Sequence, residues 1–259
     1  AKEQAINQVS AKIGQALEAD AREFNRSQPR KSFIKMSMKF SGRTSFINLP
    51  ASALEEMEQK IQCEKCGARY AVVGSAFYCP CCGHNSAKLT FFNTIDKVKA
   101  KINNLDVVRK ALEVVSKDEA ARTCTSLVET SVPDLVVAFQ RLCECVYPQI
   151  EGAKSLKRNV FQRLDDGNKL WHDLVGKGYD DWITDAQYAK LRKCFQQRHL
   201  LQHQDGIVDQ DYITKSGDVS YQVGQHLIIK AEDITEYAEI VENLGKQVLA
   251  LLEEVKANE

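Results

Sequence analysis

Four cysteines spaced Cys63-x2-Cys66-x12-Cys79-x2-Cys82 constrain this chain of 259 residues more than any other feature. Four thiolates at that spacing close around one zinc ion, so two separate turns must meet at a point. A glycine follows each pair, Gly67 and Gly83, where the chain has to reverse tightly and bring backbone N–H groups up to the sulfurs. Cys81 and His84 sit beside the second pair as rival ligands, although Cys79-Pro80-x-Cys82-Gly83 fits the pattern better. A disulfide framework is the other use of so many cysteines, but the remaining ones are scattered and the compartment reads as reducing. A site closed by four thiolates keeps no open position for a substrate. Its role is therefore structural, with docking of a protein partner as a further use.

The pattern resembles a zinc ribbon with two such knuckles. Tyr70, Val72 and Val73, then Phe77 and Tyr78, flank Gly74-Ser75, which predicts a short β-hairpin between the two cysteine pairs. Ahead of it, residues 3–24 read as a helix. Ile34, Met36, Met38 and Phe40 alternate with Lys35, Ser37 and Lys39, the period of a strand with one apolar and one basic face. Pro50 then stands where a first helical position would be, and Leu54, Met57 and Ile61 continue at helical spacing into the ribbon. Residues 1–92 thus read as a small α+β unit held by structural zinc on Cys63, Cys66, Cys79 and Cys82.

Residues 93–259 read as almost wholly helical, so the fold class is mainly α: a C-terminal helical bundle beside the small N-terminal unit. Helices are predicted near 94–114, 117–147 with an interruption at Pro133, 158–175 and 231–256. The last carries Ile234, Tyr237, Ala238, Val241, Leu244 and Val248 as an apolar stripe. Tyr221 to Ile229 is predicted to be a short strand or an extended cover. Ser116-x2-Glu119 and Thr184-x2-Gln187 are capping boxes, and Ile183 with Tyr188 can staple the second. That box starts a helix that Gly206, in a left-handed conformation, can end. His203 then lies in its last turn, where the helix dipole favours an imidazolium.

On this helix, at ~100° per residue, Tyr188, Leu191, Cys194, Phe195 and Leu201 make an apolar arc with Arg198 in its middle. An arginine keeps its charge and is almost never fully buried without a partner, so the position predicts an anionic ligand, a dimer seam or a wet cleft. A guanidinium that merely snorkels out of a core edge is the plainer alternative. His199 and His203, four apart, share a face. Arg198, His199, Leu200 to Gln202 and His203 together resemble the R-x4-6-H motif of the HEPN superfamily. Phe161-Gln162-Arg163-Leu164 and Leu170-Trp171-His172 upstream, then Gly206-Ile207-Val208-Asp209 and Asp211-Tyr212-Ile213 downstream, extend the likeness over roughly the C-terminal two-thirds of the chain. The resemblance implies an all-helical domain, usually a homodimer, that cuts RNA without a metal to leave 2′,3′-cyclic phosphate ends, often in defence or stress response. It implies that Arg198 clamps the phosphate, His203 moves the proton and His199 orients or shares that transfer. The fold also serves as a noncatalytic RNA- or protein-binding module, and that alternative stays open here.

Composition decides little between these. Lysine plus arginine equals aspartate plus glutamate at 35 each, so no global charge announces a polyanionic partner. Between residues 21 and 49, however, seven basic residues face only Glu23, a patch that suits nucleic acid or plain solvent. No apolar run approaches the ~20 residues of a membrane helix, and the N-terminal residues lack a signal peptide's apolar region. The expectation is a cytoplasmic protein without a membrane partner. His199-x3-His203 is also a spacing for two metal ligands, which Asp205 or Asp209 could complete. Trp171 and Trp182 are expected to fill core, His172 to be a surface or core-edge residue, and Cys124, Cys143, Cys145 and Cys194 to act as small apolar residues.

Overall fold

The structure, a computed structural model, describes Ala19, Arg22 and Arg26, residues 58–73 and residues 77–257. The expected strand at residues 34–40, the helix start at Pro50 and most of the basic run lie outside the described residues. Contacts divide the chain into two compact units, Ala1–Glu55 and Glu56–Glu259. In the first, Ala19, Arg22 and Arg26 are helical. The second carries both cysteine knuckles, one two-stranded sheet and, among the described residues, eight helices.

Strands β1 (Glu58–Gln62) and β2 (Arg69–Val73) are antiparallel, with Ile61 opposite Tyr70 and Gln62 opposite Arg69. The first cysteine pair is the tip of this hairpin. Cys63 N–H donates to the Ala68 carbonyl at 2.8 Å and Gly67 N–H to the Cys63 carbonyl at 2.9 Å. The second pair repeats the turn: Cys79 N–H donates to the His84 carbonyl at 2.8 Å, Gly83 N–H to the Cys79 carbonyl at 3.0 Å, and Tyr78 bridges Asn85. Gly67 and Gly83 sit at φ 71° and 73°, the left-handed region that glycine enters without penalty. Two sequence expectations change here. β2 pairs back across the first cysteine pair rather than forward around Gly74-Ser75. Ile61 is in a strand rather than a helix, because a knuckle needs two extended arms and that tertiary demand overrides the spacing of three apolar residues.

The second knuckle runs straight into the helical body. Phe77 is buried, its carbonyl accepts from Ser86 N–H, and the Ser86 hydroxyl caps Leu89 N–H to start α1 (Ala87–Asn103). Asn104 breaks the helix, its side chain bonding back to the Ala100 carbonyl, so the expected single helix continues as α2 (Leu105–Glu113). α3 (Lys117–Val146) is the central rod, capped by Ser116 and uninterrupted at Pro133. Its stripe of Val128, Val132, Leu135, Phe139, Leu142 and Val146 packs on both neighbours, and that burial outweighs the ~3 kcal/mol cost of an interior proline.

Past α3, Asn159 adopts a left-handed φ of 56° and a 3-10 turn (Val160–Gln162) precedes α4 (Leu164–Val175), so the expected helix at 158–175 starts late. Trp171 is fully buried against Tyr147, Phe161 and Trp182, and its indole N–H donates to the Tyr179 hydroxyl at 3.1 Å. A short α5 (Tyr179–Trp182) leads to α6 (Asp185–His203), which the Thr184/Gln187 capping box starts as expected. α7 (Gln210–Ser216) is a further helix, and α8 (Ala231–Ala257) closes the bundle with its six-residue stripe wholly buried. Gly245 on α8 meets α1 so closely that an added Cβ would lie 2.3 Å from the Phe91 ring. No helix among the described residues is long and apolar enough to cross a membrane.

Candidate functional site

The sulfurs of Cys63, Cys66, Cys79 and Cys82 all lie within 4.8 Å of one another, close enough to bind a metal ion. Cys63 and Cys82 are 3.7 Å apart, Cys66 and Cys79 3.6 Å, far beyond the ~2.05 Å of a disulfide. Cys81 is exposed and outside the group, and His84 contributes its backbone carbonyl to the knuckle instead of its ring. Burial would raise the Cys63 thiol, but the backbone N–H groups of Cys66 and Lys65, with the Cys66 and Cys79 side chains, bring it down to about 7. The neighbouring sulfurs push the other way on Cys66, raised to about 12, and on Cys82, also raised, so the four crowded thiols favour one thiolate first.

The motif helix distributes its three candidate residues over two faces. Leu191, Phe195, Arg198 and Gln202 follow one another at spacings of four, three and four along α6, and the first three are buried. Arg198 is only 8 % exposed, its Nε is buried without a hydrogen-bond partner, and no ion pair reaches it among the described residues. Burial accordingly pulls the guanidinium's pKa below its usual value. His199 and His203 lie on the neighbouring, exposed face with ring centroids 5.1 Å apart. The structure thus brings the two imidazoles together and buries the Arg198 side chain, one residue away in sequence. Partial burial of the His199 ring, then the nearby His203, hold its pKa below the ordinary value; Asp209 opposes this, and Arg198 and Lys215 add to it more weakly.

Tight turns and a folded-over segment fix the C-terminal end of α6. Asp205 and Gly206 take left-handed φ values of 50° and 73°, and Gly206 N–H donates to the Leu200 carbonyl at 3.1 Å. The segment from Tyr221 to Ile229 forms no strand: it turns at Val223 and Gly224 and is joined through a single Ile207–His226 bridge. Beneath it Leu200, Val208, Tyr212 and Leu227 form a small second core. Asp218, in the loop after α7, ties that loop to α6 and α7: it pairs with Lys193 at 2.8 Å and accepts from the Tyr212 hydroxyl at 2.9 Å. The sequence reading missed Asp218 and α7, although Asp209 caps the Tyr212 N–H and Gly217 ends the helix at φ 68° in the usual positions.

Ligand geometry separates the two metal ideas. Among the described residues, only the four cysteines and the exposed group His172, Asp180 and Asp181 bring three or more ligand atoms within 4.8 Å. His199, His203 and Asp205 or Asp209 form no such group, so the two-histidine metal site does not assemble. The His172 group is internally satisfied: His172 Nε2 pairs with Asp180 at 2.8 Å, and Asp181 accepts from Gly178 N–H at 2.8 Å. Cys124, Cys143 and Cys194 are buried as expected, and burial raises the Cys143 thiol to about 12. Cys145 is exposed instead. No family model, curated protein or solved structure matches this chain.

Proposed function

We propose that the chain is a metal-independent endoribonuclease of HEPN type, acting as a homodimer, with a structural zinc ion on its four cysteines. The observation that carries this is Arg198, a buried side chain whose Nε has no hydrogen-bond partner, next in sequence to one of two paired imidazoles. A cation desolvated without a counter-ion is costly, and an arriving phosphate both offsets that cost and meets two groups able to move protons. His199, kept neutral by its lowered pKa, takes the proton of the RNA 2′-hydroxyl as that oxygen attacks the adjacent phosphorus. The bond from phosphorus to the 5′-oxygen breaks, and His203 gives that oxygen a proton. Arg198 offsets the charge building on the phosphate oxygens. The products are a 2′,3′-cyclic phosphate and a 5′-hydroxyl.

Two further observations support the assembly. Ile207, Val223 and Ile228 are exposed on the paired segments just beyond α6, an apolar surface that a second copy would cover. The sulfur separations of 3.6 and 3.7 Å suit a tetrahedral zinc, whose ~2.3 Å bonds set edges of roughly 3.8 Å.

The alternative, a noncatalytic RNA- or protein-binding module, is favoured by the burial of Arg198 while both imidazoles stay exposed. Incubation of the purified protein with mixed RNA in EDTA, its zinc content measured alongside, separates the two. The nuclease leaves cyclic phosphate ends, and Arg198→Ala and His203→Ala abolish them. Cutting that persists in both variants ends the proposal, and RNA binding without cutting selects the module.

A further inference from the structure

A cleft of about 660 Å³ runs from the second cysteine knuckle to the end of the motif helix, and its lining includes neither Arg198 nor either motif histidine. Its floor is α3, its walls are α1 and the last turn of α6, where Gln202 faces it. Gln202 is one turn beyond Arg198 on the same stripe and immediately precedes His203. We infer that this cleft binds the single-stranded RNA next to the cut, one nucleotide-sized unit at a time; the inference rests on the nuclease proposal for the position of the cut.

The chemistry of the lining favours that occupant. Arg141 is exposed at the cleft and has no ion-pair or hydrogen-bond partner among the described residues. The acid in the lining, Asp134, is already paired with Lys101 at 2.7 Å, which leaves Arg141 as the lining's unpaired charge, suited to a phosphodiester. Asn85 and Gln202 offer side-chain amides with no partner among the described residues. The Thr90 and Thr94 hydroxyls spend their protons on the Ser86 and Thr90 carbonyls, both at 2.8 Å, and so present lone pairs to the cleft. Amide donors and hydroxyl acceptors together match the mixed edge of an unpaired base. The volume falls in the roughly 300–1,000 Å³ range of pockets for small organic ligands, and a recess between helices admits a splayed base rather than a duplex.

The test uses full-length protein and a non-cleavable 2′-O-methyl tetranucleotide of each base, followed by fluorescence anisotropy, with Arg141→Ala and Thr94→Phe compared with the unaltered chain. Affinity should fall about tenfold in Arg141→Ala. Thr94→Phe, which fills the cleft, should lose binding and erase any preference among the four bases, with melting temperatures confirming that both variants fold. With cleavable RNA, Arg141→Ala should raise KM while kcat holds. Unchanged affinity and base preference in both folded variants overturns the inference. If RNA is then still cut, the nuclease proposal survives alone; if RNA binds in the cleft but is never cut, the cleft survives and the nuclease does not.

Discussion

The rings of His199 and His203 lie 5.1 Å apart on the exposed flank of α6, while Arg198, adjacent in sequence, is buried with its Nε unpartnered among the described residues. Under the proposed function, catalysis and stability therefore pull in opposite directions at Arg198. Arg198→Met keeps the apolar stem and removes an unpaired charge, so the melting temperature should hold or rise. RNA cutting should vanish. A melting temperature lowered by several degrees would show that the guanidinium serves the fold.

In the proposed reaction His199 sets the acid side of the rate profile. Its pKa is lowered from 6.5, so the group stays neutral and able to accept a proton as pH falls through that value. The acid limb of kcat/KM should lie below pH 6.5. Asp209 raises the His199 pKa, so Asp209→Asn, which preserves the α7 cap, should move the limb lower still. A limb at or above 6.5 in both proteins contradicts the assignment of His199 as base.

Asp218 predicts an acid-sensitive link between α6 and the loop after α7. Burial would raise its carboxyl, but Lys193, Ser220 and Tyr212 prevail and hold it down from 3.8 to about 2. The folded pKa is the lower one, so this stabilisation is full above about 3.8 and is lost as pH falls through about 2. The difference corresponds to roughly 2 kcal/mol. Asp218→Asn should be destabilised by about that much at pH 7 in urea titrations, and the gap between variant and unaltered protein should close near pH 2.

Gly245 tests the seam between α1 and α8. A methyl there would meet the Phe91 ring at 2.3 Å, and overpacking of a tight core costs about 1–3 kcal/mol. Gly245→Ala should lower the melting temperature despite alanine's better helix propensity, and Gly245→Ala with Phe91→Leu should recover part of the loss. A stabilised single variant would mean the two helices are not packed this closely.

Much of this architecture was legible in local chemistry. Spacing and glycines located both knuckles, the Thr184 box located the start of α6, and the stripe from Ile234 to Val248 located α8. What escaped depended on partners distant in sequence. Pro133 reads as a break, yet α3 is held on two sides by neighbouring helices and runs through it. Ile61 has helical spacing but pairs with Tyr70 across a cysteine knuckle. Arg198 was legible as an odd residue on an apolar arc; that its side chain is buried while both imidazoles stay exposed depends on how α6 packs, which one helix cannot reveal.

The most direct measurement is the cleavage rate of a single RNA dinucleotide by Arg198→Ala, His203→Ala and the double variant, each in EDTA. Groups that act on one phosphate as a unit are not additive. The double variant should therefore be about as slow as the slower single variant. Losses that multiply, or single variants that cut at the unaltered rate, would contradict a shared site for the guanidinium and the imidazoles.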